Sequence, residues 1–234
     1  MESVIIMKLF LLLQVPLRDG GQAYTETNLD RLIVEPWNFV TAILFFLLAV
    51  YWLKVVLKNL KAHRFLFAML ILLVIGGIGG SIYHGFRYHR AFLMMDWMPI
   101  MLITFSASVY FFIKSWGKWW PPLILILAYF FIQGSIFRSG IPIQTAINIS
   151  YASMAVIVLF PIVWYLIKTG FAGYHFVTFA LASFALALFF RWTDKFDWLP
   201  MGTHFLWHIF GLIAVHLMLR FVYLSNNPNE NLKL

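Results

Sequence analysis

The sequence predicts an all-α fold, a polytopic membrane protein built as a seven-transmembrane helix bundle. Three observations carry this reading. The chain is 62% hydrophobic and only 11% charged, with a mean hydropathy of +0.85, whereas soluble domains are about 25% charged. Its apolar residues gather into stretches of membrane length, divided by short polar connectors. Phe (25 residues) and Trp (10) are abundant, as expected where aromatic rings anchor at headgroup level.

A span needs about 20 mostly apolar residues. The first, at roughly 37–57, follows Pro36 and stops at the basic connector Lys58 to Arg64. The second, 65–84, ends at the connector Gly85 to Arg90, and the third, 92–113, at Lys114 to Lys118. Trp119, Trp120, Pro121 and Pro122 open the fourth, 119–137, with a turn signature suited to an interface. The fifth, 143–167, follows the break Arg138 to Gly140 and runs to the connector Lys168 to Tyr174. The sixth, 175–191, is separated from the seventh, 203–224, by Trp192 to Gly202. There is no internal repeat and no low-complexity stretch. The domain reading is therefore an N-terminal segment 1–36, a seven-helix domain 37–224 and a tail 225–234.

Within the N-terminal segment, Val4 to Leu13 is apolar but interrupted by Lys8, and it is too short to span. It reads either as the core of a signal peptide, with Gly21-Gln22-Ala23 as a small-residue cleavage site, or as an interfacial helix. The absence of cysteine excludes disulfides, thiolate ligands and cysteine nucleophiles. The net charge of +8 suits anionic lipid. The basic residues punctuate apolar spans and form no groove-sized patch, which excludes nucleic acid as a partner.

Lys54, Lys58, Lys61 and Arg64 form the strongest local cluster of positive charge, which places the loop after the first span in the cytoplasm. The N-terminus then faces outward or into a lumen and the C-terminus faces the cytoplasm. All acids except Glu230 fall on the outer side or at its boundary. They read equally well as cation ligands and as partners of the outer arginines and lysines.

Chemistry concentrates at that outer level. His204 and His208 lie four residues apart in Gly202-Thr-His-Phe-Leu-Trp-His208, so a helix stacks them on one face. The second span ends with Ser81 and His84, and Asp96 lies about one turn into the third. The topology brings these residues to one membrane depth, where ionisable groups are costly and mark function. Three histidines with one open position form a catalytic zinc pattern. Asp96 is then the base for water activated by the metal, and Ser81 a donor to a developing oxyanion. Two other classes use the same histidines: a seven-helix receptor or sensor with a structural metal, and a haem-binding electron-transfer protein. His175 and His216 read as packing residues, His63 as a solvated loop residue and His89 as a surface residue.

Gly202-Thr-His-Phe-Leu-Trp-His-Ile209 and the preceding Phe190-Arg-Trp-Thr-Asp194 resemble the last-helix signature of the alkaline ceramidases and its lead-in. Ser81, His84 and Asp96-Trp-Met-Pro-Ile100 resemble that family's second- and third-helix motifs, and Glu35-Pro-Trp-Asn38 the acidic start of its first helix. The resemblance runs from about Tyr24 to the end of the chain. The wider superfamily, which includes adiponectin-type receptors, shares the Ser, His, Asp and paired-His pattern. The resemblance implies a zinc amidase that cleaves the N-acyl bond of ceramide, releasing a sphingoid base and a fatty acid. It implies His84, His204 and His208 as zinc ligands, with Asp96 and Ser81 beside them. It also implies a calcium site formed by Glu26, Asn28 and Glu35 with the Tyr24 carbonyl, since oxygen ligands suit a hard cation. The chain departs from the family by carrying Gly80 four residues before His84, so that its serine, Ser81, stands three before. It also has Ala23 where an acid is expected just before Tyr24.

Overall fold

The computed structural model describes residue 17 and residues 19–227. The readings for Val4 to Leu13 and for the end of the tail lie outside the described residues. Within them the fold is all-α, with seven helices long and apolar enough to cross a membrane. These are α1 (Pro36–Val56), α2 (Arg64–Phe86), α3 (Arg90–Trp116), α4 (Trp120–Arg138), α5 (Ile143–Lys168), α6 (Tyr174–Thr193) and α7 (His204–Ser225). Short 3-10 turns at Leu57–Asn59 and Asp194–Phe196 extend α1 and α6. The spans read from hydropathy agree with these helices to within their end turns. The largest difference is in α3, which continues through Lys114 to Trp116. A lysine in a helix's last turn faces the negative end of the backbone dipole, so it prolongs the helix as readily as it ends the apolar run.

Two compact units divide the chain. Residues 100–174 form one, with α4, α5 and the later part of α3. Phe105, Tyr129 and Met154 make its buried cluster, and the Tyr129 hydroxyl lies 2.5 Å from Ser150 Oγ. The other unit joins residues up to Pro99 with those from His175 onward, so it holds α1, α2, the start of α3, α6 and α7.

Close helix packing in this second unit depends on glycine. A Cβ on Gly77 would stand 2.5 Å from the Phe46 backbone nitrogen, so α1 and α2 meet only because that atom is missing. Gly79 likewise admits Met95 of α3. Two carboxylates start the helices that bear the site. Glu26 accepts the N–H groups of Trp37 (2.9 Å) and Asn38 (2.7 Å) at the first turn of α1. Asp194 accepts those of Thr203 (2.7 Å) and His204 (2.9 Å) at the start of α7. Both satisfy backbone donors that no helical carbonyl can reach.

One expectation is corrected at the other end of these helices. His63 is only 1% exposed rather than solvated. Its ring stacks on Tyr223 at 4.4 Å and 16°, and Asn227 Nδ2 lies 3.3 Å from its Nε2. The connector tucks its last residue against the end of α7 instead of leaving it in water. His216 does pack, accepting a hydrogen bond from Trp52 Nε1 at 3.2 Å, and His89 is exposed.

Candidate metal centre

The structure brings His84, His204 and His208 together, all buried, with one ligand nitrogen from each within 4.8 Å of the others. Ring centroids are 5.5 Å apart for His84 and His204, 4.9 Å for His84 and His208, and 5.0 Å for His204 and His208. Three nitrogens on a tetrahedral zinc stand about 3.4 Å apart, given metal–nitrogen bonds of roughly 2.0–2.1 Å. Small rotations of the rings span the difference. The three residues can therefore hold a metal ion.

Hydrogen bonds on the far side of two rings select which nitrogen faces the centre. Glu35 Oε2 lies 2.5 Å from His84 Nδ1. An ionised carboxylate only accepts, so Nδ1 carries the proton and Nε2 keeps its lone pair. Thr41 Oγ1 lies 2.9 Å from His208 Nδ1 and donates its own hydrogen to the Trp37 carbonyl at 2.7 Å. With that hydrogen on Trp37, the hydroxyl accepts from Nδ1, which again leaves the lone pair on Nε2. Metal-bound imidazoles are oriented in this way. The buried atoms His84 Nε2 and His204 Nδ1 have no hydrogen-bond partner among the described residues. Leaving such atoms unpaired is expensive, and a cation would complete them. Tyr24 lies over the His204 ring, stacked at 3.8 Å and 23°.

Asp96 reaches this region from α3. A Cβ on Gly80 would collide with Asp96 Oδ1, so the glycine one turn before His84 makes room for the carboxylate. Ser81 is buried and donates its hydroxyl hydrogen to the Gly77 carbonyl at 2.6 Å, bonding back onto its own helix.

The residues expected to bind calcium have other partners. Glu35 accepts from Arg87 Nη1 (2.5 Å) and Thr27 Oγ1 (2.6 Å) on the oxygen that does not face His84. Both Glu26 oxygens cap α1. Asn28 Oδ1 accepts the Asp30 N–H, and the Tyr24 carbonyl the Thr27 N–H, each at 3.0 Å. As placed, these four residues do not fit a calcium ion, because a guanidinium already sits against the acid that would anchor it.

Electrostatics agree with that arrangement. Burial alone would raise the Glu35 carboxyl, but the hydrogen bond from His84, the Arg87 cation and the Thr27 hydroxyl overcome it and hold it below the usual range. Burial likewise opposes the charge on Arg87, yet Asp19 and Glu35 push its pKa above the ordinary value. Burial raises Glu26 and Tyr24, and Tyr24 remains a neutral phenol.

The sequence singled out the imidazoles but not the roles of Thr41, Arg87 and Asp194. An arginine three residues past His84 and an Asp before the last span were visible as residues, but nothing local marked their partners. No protein-family model matches the chain, and no curated protein matches it at a significant level.

Proposed function

We propose that this chain is a multi-pass membrane zinc hydrolase that cleaves the amide of an N-acyl lipid, with ceramide the leading substrate and a sphingoid base and a fatty acid the products. One observation carries this reading. Three buried imidazoles converge from two helices, and two of their nitrogens have no partner among the described residues. His84, His204 and His208 would hold the ion. When bound, zinc supplies Lewis acidity that activates water and polarises an amide carbonyl at neutral pH.

Asp96 would take a proton from the water as the water oxygen adds to the carbonyl carbon. It would return that proton to nitrogen as the C–N bond breaks. Ser81 would have to release the Gly77 carbonyl to donate to the oxyanion, which makes it the lesser contributor. Glu35 and Thr41 hold two rings at the required angle. Acyl chains would lie among the apolar helix faces while the amide reaches the histidines. The positive cluster at Lys54 to Arg64 supports a cytoplasmic loop there, hence an outer or lumenal N-terminus and site, and a cytoplasmic C-terminus. The ring spacing of 4.9–5.5 Å favours one shared ion over haem, since axial haem ligands stand on opposite faces of a macrocycle.

Zinc quantification of the purified protein, run beside turnover assays on ceramide and other N-acyl lipids, tests the proposal. We expect about one zinc per chain and amide cleavage, both lost in His208→Ala. Zinc without cleavage across the panel would favour a receptor with a structural metal. A Soret band would favour haem.

A further inference from the structure

Among the described residues, Arg87 is a heavily hydrogen-bonded buried charge. It ends α2 in the left-handed conformation, at φ 49°, where glycine is the usual residue. The guanidinium nevertheless stays there, making four hydrogen bonds. Nε donates to Asp19 Oδ2 at 2.6 Å and Nη2 to Asp19 Oδ1 at 3.0 Å, a bidentate fork. Nη1 donates to Glu35 Oε1 at 2.5 Å and to the Gln22 carbonyl at 2.9 Å. The Tyr83 ring lies under the cation, 4.5 Å from its centroid. The Arg87, Asp19 and Glu35 side chains are all 0% exposed.

We propose that Arg87 is a resident cation with two linked tasks. It pins the 19–35 segment over the site with its own charge, and through Glu35 it holds the His84 ring toward the other two histidines. This rests on the metal reading above. The route is continuous: Asp19 grips the fork, the fork grips one Glu35 oxygen, and the other Glu35 oxygen grips His84 Nδ1 at 2.5 Å. The same segment then crosses to α7. The Thr25 N–H donates to Asp194 Oδ2 at 3.0 Å, and Asp194 starts the helix that carries the other two histidines. Segment 19–35 therefore ties the two histidine-bearing helices together, with Arg87 as its anchor. Lysine cannot substitute, because an ammonium lacks the planar fork that engages Asp19 and Glu35 at once. Arg87 acts through Glu35 and His84, so it is a positioning residue.

The test uses the full-length protein in detergent. Zinc affinity is measured by chelator competition, and ligand geometry by the visible spectrum of the cobalt-substituted form. Arg87→Lys should bind zinc about 10- to 100-fold more weakly, the usual cost of losing an outer partner, and should alter the cobalt spectrum. Arg87→Gly relieves the left-handed backbone and leaves a guanidinium-shaped hole. Free guanidinium at millimolar concentration should restore much of its zinc affinity. Calcium should leave the thermal unfolding of the wild type unchanged. Zinc affinity in Arg87→Lys within twofold of wild type, with an unchanged cobalt spectrum, overturns the positioning role. A stabilising calcium response in the wild type overturns the resident-cation role. If the wild type binds no metal at all, the proposed function falls along with this inference, whereas the other two failures leave it standing.

Discussion

Histidines lie toward both ends of the α2 and α7 pair, and the two ends use them differently. At one end His63 stacks on Tyr223 and meets Asn227, while His216 accepts a hydrogen bond from Trp52. Each of those imidazoles is matched to an aromatic or polar partner on a different segment. At the other end His84, His204 and His208 face one another, and the outer nitrogens of His84 and His208 are held by Glu35 and Thr41. A histidine in an apolar helix is therefore not informative alone. Convergence of several rings, with hydrogen bonds behind them and orphaned nitrogens in front, separates a binding centre from packing.

The strongest way to break this contrast is to delete a ring from the converging end. His204→Ala should abolish stoichiometric zinc and all amide cleavage, as read by metal analysis and turnover. Its unfolding should stay cooperative, which separates loss of the metal site from loss of the fold. Asp96→Asn should come next. We expect zinc retained and turnover reduced about 10²- to 10⁴-fold, the usual contribution of general acid–base catalysis. Full activity in that variant would remove Asp96 from the mechanism.

Thr41→Val sharpens the comparison at lower amplitude. It strands the His208 Nδ1–H in a buried position, at a cost of about 1–3 kcal/mol. Zinc affinity should fall roughly tenfold, and an unchanged value would mean that Thr41 does not set the tautomer. The smallest effect belongs to the packed end. His216→Phe keeps a ring against Trp52 but loses the hydrogen bond. It should cost about 1 kcal/mol in stability and leave zinc content at the wild-type level. Loss of zinc in His216→Phe would erase the distinction between the two ends.

Much of this organisation is legible in the order of residues. Hydrocarbon thickness forces runs of about 20 apolar residues, so the seven helices could be read from hydropathy, apart from end turns such as Lys114 to Trp116. His204 and His208 stood out because a spacing of four is a local, periodic signal. His84 and Asp96 followed from the alternation of the spans. His63 was misread because a basic connector resembles a solvated one, and only its contact with Tyr223 buries it.

The acids were the least legible part. Their clustering toward one side of the membrane suited either a divalent cation or internal cations, and the chain offered no local clue between them. The deciding contact is a guanidinium folded between Asp19 and Glu35.

Composition and periodicity thus settle the membrane class, the spans and the identity of the candidate ligands, because lipid acts on every residue of a helix through one repeating pattern. The choice of ring nitrogen and the anchoring by Arg87 needed the packed fold. Those contacts join groups far apart in the chain, 49 residues for Glu35 with His84 and 167 for Thr41 with His208. A hydrogen bond depends on a fraction of an ångström and a direction, and neither is written in the order of residues.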